Sequence, residues 1–223
     1  MQIINTSDGS HTIYLPEINE QYHSVNGAIT ESQYVYVGKG YNFSVQKNPV
    51  VFEVGFGTGL NCLLTALEAD KDKRTTLYIT IEKYPLQHEI IEQLNFGQLI
   101  SQEAQILFEK IHHCVWNEVV HISEHFKLKK IKADLTNYNF ENLPKFNVIY
   151  FDAFGPDKQA EMWTLLIFNK ISSATANGGI FVTYSAKGEV RRQLIASGFE
   201  MERLPGPPGK NQMLRGIKKE AKI

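Results

Sequence analysis

A short loop with three glycines joins the first strongly apolar run of the chain to a helical pattern. The run Val50–Val54 is apolar except for Glu53, which is typical of a strand buried in a parallel sheet. The loop Gly55-Phe-Gly-Thr-Gly59 follows, and leucines from Leu60 to Leu67 then recur at the spacing of one helix face. Glycines there allow a tight turn and bring backbone amides close to a ligand at the helix N-terminus. The feature predicts an α/β fold with a ligand site at this turn.

Strand and helix patterns alternate along most of the chain after residue 49. Further strands are predicted at Leu77–Glu82, Phe126–Ile131, Asn147–Asp152 and Gly179–Tyr184, and further helices over 161–176 and 190–196. Strict alternation implies right-handed crossovers and a doubly wound, mostly parallel, Rossmann-like sheet. The last segments, Phe199–Leu204 and Gln212–Ile217, are predicted to finish the sheet as an antiparallel pair of strands.

Two regions lie outside this alternation. Residues 1–48 are rich in Tyr and Gly and contain short alternating runs such as Tyr34-Val-Tyr-Val37, so we predict a small β extension packed on the sheet. Residues 85–124 have a helical composition and are longer than one connecting helix requires, which predicts a helical insertion near the ligand face. The predicted domains are therefore a β extension over 1–48 and a Rossmann-like domain over 49–223.

The charge balance excludes a protein that coats nucleic acid non-specifically. The chain has 23 Lys and Arg against 24 Asp and Glu, and such proteins are strongly basic. The charge balance does not exclude selective binding of nucleic acid through a local basic patch. The two cysteines, Cys62 and Cys114, are too few for a disulfide framework. With no signal-peptide pattern and no apolar segment long enough to span a bilayer, we expect a cytoplasmic protein without a membrane partner.

Two acidic residues follow the second and third predicted strands. Glu82 closes the second strand, where a carboxylate can accept hydrogen bonds from both hydroxyls of a ribose. Gly59 comes one position earlier than the third glycine of a dinucleotide fingerprint, so the loop suits a smaller anion such as a carboxylate and disfavours a dehydrogenase. Asp134, after the third strand, suits an adenine amino group or the capping of a turn equally well. Together these features predict a nucleoside cofactor.

Asp152 stands at the carboxyl end of the fourth strand, the edge at which open α/β sheets bind their ligands. A carboxylate there is costly to bury unless it is paired or used. It could bind an ammonium and accept its proton, so that a neutral nitrogen attacks an electrophile, or it could cap the following loop. Phe154 is either a loop anchor or a stacking surface for a flat ring, and Tyr184 ends the fifth strand on the same edge.

Basic side chains and histidines occur in separate clusters. Four lysines of the third strand are expected to face solvent: Lys127, Lys129, Lys130 and Lys132. Arg191, Arg192 and Lys210 lie on segments near the ligand edge, which makes contact with phosphates a reasonable hypothesis. The histidines between His112 and His125 have neither the acid of a zinc-protease motif nor a nearby cysteine pair. We therefore predict surface histidines and no metal site.

Several motifs together resemble the MnmC-type methyltransferases. They are Glu53-Val-Gly-Phe-Gly-Thr-Gly-Leu-Asn61, Phe151-Asp-Ala-Phe-Gly-Pro156 with Met162-Trp163 behind it, Tyr184-Ser-Ala-Lys-Gly-Glu-Val-Arg-Arg192 and Lys210-Asn-Gln-Met-Leu214. The upstream Gly27-Ala-Ile-Thr-Glu31, followed by Tyr34-Val-Tyr-Val37, is also similar to the N-terminal signature of that family. The match runs in order along nearly the whole chain, and the combination is more specific than any single motif.

The resemblance implies a class I S-adenosylmethionine-dependent enzyme. It would methylate the amine of 5-aminomethyl-(2-thio)uridine at the wobble position, so that tRNA, through its anticodon stem-loop, is the expected partner. The residues implied for the cofactor are Glu53, Gly55, Phe56, Gly57, Gly59, Glu82 and Asp134. Asp152 would be the catalytic carboxylate. The residues implied for the substrate are Glu31, Phe154, Tyr184, Arg191, Arg192 and Lys210.

The chain departs from well-known members of that family at Pro207-Pro208 of the last loop, where the fused form has an aromatic residue, and in a second, larger respect. Those members carry a fused flavin-dependent oxidase domain, whereas these 223 residues contain no second Rossmann unit. We therefore expect a free-standing form that receives aminomethyl uridine from other enzymes. An aminopropyltransferase of the polyamine-synthase type, or another small-amine methyltransferase, is the alternative on the same fold. A non-catalytic RNA-binding module is disfavoured by the intact glycine loop, Glu82 and Asp152.

Overall fold

The computed structural model of the protein describes residues 1–220. The chain begins with a three-stranded antiparallel sheet of β1 (Gln2–Asn5), β2 (His11–Leu15) and β3 (Glu20–Gln21). Helix α1 (Ala28–Ser32) follows and continues directly into a π-helical segment, Gln33–Tyr41. The N-terminal region is therefore part strand and part helix.

The later strands form one eight-stranded sheet. They are β4 (Val50–Val54), β5 (Thr76–Glu82), β6 (Val119–His121), β7 (Phe126–Lys132), β8 (Phe146–Phe151), β9 (Thr175–Thr183), β10 (Phe199–Pro205) and β11 (Gln212–Lys218). The order across the sheet is β10-β11-β9-β8-β4-β5-β7-β6. Strands β9, β8, β4, β5 and β7 are parallel, and β11 runs antiparallel between β9 and β10. The predicted Rossmann-like sheet with an antiparallel finish is confirmed.

Helices connect these strands. They are α2 (Leu60–Asp72), α3 (His88–Ile91), α4 (Phe96–Ile100), α5 (Gln102–His113), α6 (Leu165–Ala174) and α7 (Gly188–Ala196). Side chains satisfy the first amides of two of them: the Ser101 hydroxyl accepts a hydrogen bond from Ala104 N–H, and the Thr164 hydroxyl from Ile167 N–H. Among residues 1–220, no helix is both long and apolar enough to cross a membrane.

The sheet separates two apolar cores because successive side chains of a strand point to opposite faces. Along β4, Val51 packs into the core beneath α2, α5 and the π-helical segment, whereas Phe52 packs into the core beneath α6 and α7. Phe52 stacks on Phe146 with ring centroids 4.3 Å apart. Burying one such side chain stabilises the fold by about 1.5–3 kcal/mol. Glu53 follows Phe52 in β4 and therefore shares the face of Val51.

The predicted strand character of Tyr34–Val37 is wrong, because this run lies in the π-helical segment. Val35, Tyr36 and Val37 are all buried, so their apolar side chains are used for packing within a helix. Gly40 in the same segment packs so closely that a Cβ there would lie 2.9 Å from Val182 Cγ2. Four alternating residues are too short a run to distinguish a strand from a buried helix.

Two other predicted boundaries differ from the structure. The helix predicted over 161–176 begins only at Leu165, after a 3₁₀ turn over Ala160–Trp163, and Thr175 already belongs to β9. The region 85–124 contains three short helices, as a helical insertion requires, but it also contributes the edge strand β6. β6 pairs antiparallel with β7 and extends the sheet beyond the predicted third strand.

Candidate functional site

A cavity of about 610 Å³ opens where β4, β5 and β8 end. Most of the predicted site residues line it, namely Glu31, Gly55, Phe56, Gly57, Glu82, Asp134, Asp152, Phe154, Tyr184 and Lys210. Glu53 and Gly59 are buried next to the glycine loop, outside the cavity wall. Arg191 and Arg192 lie on α7, also outside it. The carboxyl edge of the sheet is therefore where the structure brings the predicted residues together.

The glycine loop has a backbone that only glycine adopts without strain. Gly55 has φ 87° and Gly57 has φ 48°, both in the left-handed region. A Cβ on Gly55 would lie 2.9 Å from the carbonyl oxygen of Asp152, and one on Gly57 would lie 3.0 Å from the Tyr22 ring. The loop is thus packed tightly against β8 and the N-terminal sheet, and its bare backbone faces the cavity.

Glu82 joins the glycine loop to the end of β5. Its Oε2 accepts a hydrogen bond from Gly57 N–H at 3.1 Å, and its Oε1 accepts one from Tyr84 N–H at 2.8 Å. A carboxylate has about four acceptor positions, so both oxygens can still accept hydrogen bonds from a ligand in the cavity. This position and chemistry suit the two hydroxyls of a ribose.

Two histidines hold Thr58, the residue between the second and third glycines of the loop. His23 Nε2 lies 2.6 Å from Thr58 Oγ1, and His112 Nε2 lies 3.1 Å from the Thr58 carbonyl oxygen. Burial lowers the pKa of His23 to about 4 and that of His112 to about 3, so both rings are neutral at pH 7. The neutral His112 ring donates its Nε2–H to the carbonyl. The N-terminal region and the helical insertion are thereby fastened to the loop.

These contacts correct two sequence predictions about polar residues. His112 was predicted to lie on the surface, but it packs against Phe56 with centroids 5.4 Å apart. Lys130 was predicted to face solvent, but it is 1% exposed and its ammonium donates to the carbonyl oxygens of Ile111 and His112. Those carbonyls end α5, where a cation is favourable, so Lys130 anchors the insertion from the sheet.

Asp134 combines the two interpretations that the sequence left open. Its Oδ1 accepts hydrogen bonds from the Thr136 amide and hydroxyl at 2.9 and 2.7 Å, which is a turn-capping role. Its Oδ2 forms an ion pair with Lys83 at 2.9 Å, and the side chain also lines the cavity. The Lys83 ammonium, together with the Thr136 hydrogen bonds, lowers the pKa of Asp134 to about 2. Asp134 is therefore an anion at the cavity wall.

Asp152 is held from two sides. The Tyr36 hydroxyl donates to Oδ1, and the Asn61 amide donates to Oδ2 at 2.7 Å. Burial raises the pKa of Asp152 to about 7, against the effect of the Tyr36 hydrogen bond and with a further contribution from the Glu31 charge. A carboxylate with this pKa exchanges a proton near neutral pH. Neither Tyr36 nor Asn61 was predicted as a site residue, although Asn61 belongs to the glycine-loop motif.

Glu31, Lys210 and Tyr184 form a cluster that lines the same cavity as Asp152. The Glu31 carboxylate is buried; its Oε1 pairs with the Lys210 ammonium, and its Oε2 accepts a hydrogen bond from Ser24 N–H at 2.9 Å. The Lys210 ammonium also lies 4.0 Å from the centroid of the Tyr184 ring. The Tyr184 hydroxyl donates to the carbonyl oxygen of Ala153 at 3.0 Å, which fixes the ring beside the end of β8.

Phe154 is both a loop anchor and part of the cavity wall. Its amide donates to Gln159 Oε1 at 3.0 Å, and its carbonyl accepts from Trp163 Nε1–H at 2.7 Å. Its ring meets Tyr22 edge to face, with centroids 5.1 Å apart. Within residues 1–220, no three His, Cys, Asp or Glu side chains are grouped so that they could hold a metal ion.

The fold and the cavity together are typical of a Rossmann-like enzyme with a nucleoside cofactor, and the Asp152 carboxylate lies in the same cavity as the glycine loop. A model of the S-adenosyl-L-methionine-dependent methyltransferase family matches residues 90–219, which is more than half of the chain. The protein belongs to this family and is an enzyme with S-adenosylmethionine as its cofactor. The match favours methyl transfer over the aminopropyl transfer that the sequence left as an alternative.

Individual relatives show which methyltransferases this chain is similar to. The tRNA 5-methylaminomethyl-2-thiouridine biosynthesis bifunctional protein MnmC of Cupriavidus metallidurans is 30% identical over 227 residues, covering 94% of this chain. The chain spans about a third of that relative's length. The crystal structure of MnmC2 from Aquifex aeolicus matches 100% of this chain and 71% of its own, with 26% identity and a TM-score of 0.80. A methyltransferase from Pyrococcus furiosus, at 15% identity and a TM-score of 0.51, shares the fold. The resemblance to MnmC-type methyltransferases is confirmed.

The residues at the cavity fit S-adenosylmethionine. The glycine loop lines the cavity just before the first turn of α2, and amide groups of a helix N-terminus suit the carboxylate of the methionine portion. Glu82 and Asp134 both line the cavity, and their carboxylates have the chemistry to accept hydrogen bonds from ribose hydroxyls and from an adenine amino group. The sulfonium end is then left for the part of the cavity that contains Asp152.

We expect Glu82→Ala to weaken binding of S-adenosylhomocysteine by roughly 10–100-fold, because each lost hydrogen bond to a charged group costs about 1.5–3 kcal/mol. Titration calorimetry measures this directly. Glu141→Ala, which removes an exposed carboxylate away from the cavity, is the matched control and should bind like the wild type. An unchanged dissociation constant for a folded Glu82→Ala protein would contradict the assignment.

Proposed function

We propose that the protein transfers a methyl group from S-adenosylmethionine to the primary amine of 5-aminomethyl-(2-thio)uridine at the wobble position of tRNA, giving the 5-methylaminomethyl form. The observation that carries this proposal is Asp152, a carboxylate with a pKa of about 7 at the carboxyl end of β8. It lies in the same cavity as the cofactor loop. The Cupriavidus metallidurans relative is named for the biosynthesis of 5-methylaminomethyl-2-thiouridine in tRNA, and this supports the proposed substrate.

The proposed chemistry requires a neutral nitrogen. A primary alkyl amine has a pKa near 10, like that of lysine, so it arrives as an ammonium that cannot attack. Bound S-adenosylmethionine supplies an electrophilic methyl group on its sulfonium. Asp152 binds the ammonium and accepts its proton, a contribution of about 10²–10⁴-fold, and alignment of the two reactants can lower the barrier by about 7–11 kcal/mol.

Tyr36 and Asn61 have a positioning role in this proposal. Each donates one hydrogen bond to Asp152, so the carboxylate is fixed in orientation while acceptor positions are left for the substrate. Both donors come from helical elements, Tyr36 from the π-helical segment and Asn61 from α2. Because rigid elements position the base better than loops do, this arrangement suits a proton transfer that depends on geometry.

The proposed tRNA contact uses aromatic and basic side chains. Single-stranded RNA loops are recognised when unstacked bases pack on aromatic rings, and the rings of Phe154 and Tyr22 in the cavity wall offer such surfaces. Arg192 is exposed on α7, and we propose that it contacts phosphates of the anticodon stem-loop. Arg191 donates to the carbonyl oxygen of Met201 and so has a partner within the protein. A tRNA substrate places the proposed reaction in the cytoplasm.

The proposal is tested by mass spectrometry of nucleosides from tRNA that carries 5-aminomethyl-2-thiouridine, after incubation with the protein and S-adenosylmethionine. The expected product is a wobble nucleoside one methyl group heavier. The same tRNA with an unmodified wobble uridine is the matched control and should stay unchanged. If calorimetry shows that the protein binds the cofactor and yet the aminomethyl nucleoside is not methylated, the proposed substrate is wrong.

A further inference from the structure

The cluster of Glu31, Lys210 and Tyr184 is a cation site inside the reaction cavity. Its acid, Glu31, has a side chain that is only 8% exposed, and the Lys210 ammonium pairs with it. The same ammonium lies 4.0 Å from the centre of the Tyr184 ring, within the range of a cation–π contact. A buried carboxylate and an aromatic face are a chemical combination that recognises ammonium groups.

Lys210 differs from the other lysines of the cavity wall. Lys83 pairs with Asp134, whose side chain is 28% exposed, and Lys187 pairs with Asp157, whose side chain is 77% exposed. Glu31, the partner of Lys210, is far less exposed than Asp134 or Asp157. Little water can therefore reach the Glu31 carboxylate and replace the Lys210 ammonium. Removing a cation from it without a replacement is costly. The site therefore favours exchange of one ammonium for another.

The cluster lies next to the reacting carboxylate. The Tyr184 hydroxyl donates a hydrogen bond to the carbonyl oxygen of Ala153, the residue after Asp152. One cavity is lined by Glu31, Asp152, Tyr184 and Lys210. The charges of Glu31 and Lys210 also act on the pKa of Asp152, after the dominant effect of burial. A substrate ammonium that approaches Asp152 thus enters the field of a second carboxylate and is repelled by the ammonium of Lys210.

We propose that Glu31 and the face of Tyr184 recognise the substrate ammonium next to Asp152, which accepts its proton, and that Lys210 occupies this site until the substrate displaces it. This inference rests on the proposed function, because it assigns the binding site of the amine that is methylated. Lys210 is suited to leave: its side chain is 31% exposed and belongs to the loop between β10 and β11. The site is then an element of specificity, since it accepts a cationic 5-substituent and offers nothing to a neutral one.

Binding of two nucleosides tests the exchange. The probes are 5-aminomethyl-2-thiouridine and, as the matched control, 5-methyl-2-thiouridine, each titrated into protein saturated with S-adenosylhomocysteine. Lys210→Met removes the competing ammonium, so we expect the aminomethyl nucleoside to bind roughly tenfold more tightly than it binds the wild type. Glu31→Gln should weaken binding of the same nucleoside by a similar factor. Neither variant should change binding of the methyl control.

A measurement on the wild type does not depend on how well the variants fold. If the substrate ammonium displaces Lys210, amine acetylation of Lys210, followed by peptide mass spectrometry, should increase several-fold when the aminomethyl nucleoside is added. The methyl control should leave it unchanged. Protection of Lys210, or weaker binding of the aminomethyl nucleoside to Lys210→Met, would identify Lys210 as a direct substrate contact and overturn the inference. If tRNA is methylated but Lys210 reactivity is constant, the inference fails while the proposed function stands.

Discussion

Asp152→Asn is expected to slow methyl transfer to tRNA by about 10²–10⁴-fold, the usual contribution of a positioned proton acceptor. The affinity for S-adenosylhomocysteine should stay close to that of the wild type, because the glycine loop and Glu82 are untouched. Asparagine has nearly the same shape, but only one of its two terminal atoms accepts a hydrogen bond, whereas Tyr36 and Asn61 both donate to the native side chain. Single-turnover measurements with excess enzyme separate the chemical step from tRNA release.

The pH dependence of the wild-type rate gives a second test of the same base. Asp152 accepts a proton only when it is ionised, so the single-turnover rate should rise as the pH increases through about 7 and level off above that value. Tyr36→Phe removes a hydrogen bond that lowers the pKa of Asp152, so the midpoint should move to higher pH. Asp157→Asn, which changes an exposed acid of the same loop, is the control. Full activity of Asp152→Asn across this range would exclude Asp152 as the base.

The sequence predicts that three site residues lie close together, namely Gly55, Glu82 and Asp152, because each of them directly follows or ends a strand. The carboxyl ends of parallel strands share one edge, so a correct strand assignment places these residues together without knowledge of the packing. The apolar runs were strong enough for that assignment, and the structure shifts their ends by only a few residues. The position of the candidate site at the carboxyl edge of the sheet therefore follows from local sequence patterns alone.

Residues that reach the site from other elements could not be found in this way. Tyr36 contacts Asp152 across 116 positions of sequence, and the π-helical segment that carries it depends on packing against α2 and β9. His112 reaches Thr58 only because the whole insertion folds back onto the loop. Neither contact has a local signal, since both depend on how distant elements dock.

Lys130 is different, because the sequence did contain a signal for its burial. In a strand, Phe126, Leu128 and Lys130 occupy alternate positions and therefore share one face. The first two are apolar and fully buried, so the third must enter the same core. The four lysines are therefore not one solvent-exposed cluster, because the strand period places Lys130 on the buried face.

Glu53 is the buried acid on which the largest pH effect on stability is expected. Glu53 is 0% exposed and lies among Thr80, Asn61 and Tyr78, whose polar side chains lower its pKa against the larger effect of burial. Burial raises the pKa of Glu53 to about 8, so the group is mostly protonated in the folded protein at pH 7. A second negative charge is thereby kept away from Asp152.

Glu53→Gln should therefore become more stable than the wild type as the pH rises. In the unfolded chain Glu53 ionises at its ordinary pKa of about 4.5, whereas in the folded protein it ionises only near 8, so the wild type loses stability between these values. The loss is complete above pH 8, and a shift of this size corresponds to roughly 3–5 kcal/mol. Glutamine is neutral at every pH and keeps the shape of the protonated acid, so the variant lacks this loss.

Urea denaturation of both proteins at pH 5, 7 and 9 measures the difference in the free energy of unfolding. The gap between Glu53→Gln and the wild type should widen steadily from pH 5 to pH 9. Asp152 also has a raised pKa, but it is present in both proteins, so its contribution to the difference in the free energy of unfolding largely cancels. Glu141→Gln, at an exposed position, should follow the wild type throughout. Parallel curves for Glu53→Gln and the wild type would mean that Glu53 is ionised in the folded state, and that Asp152 carries out its proton transfer next to a second buried charge.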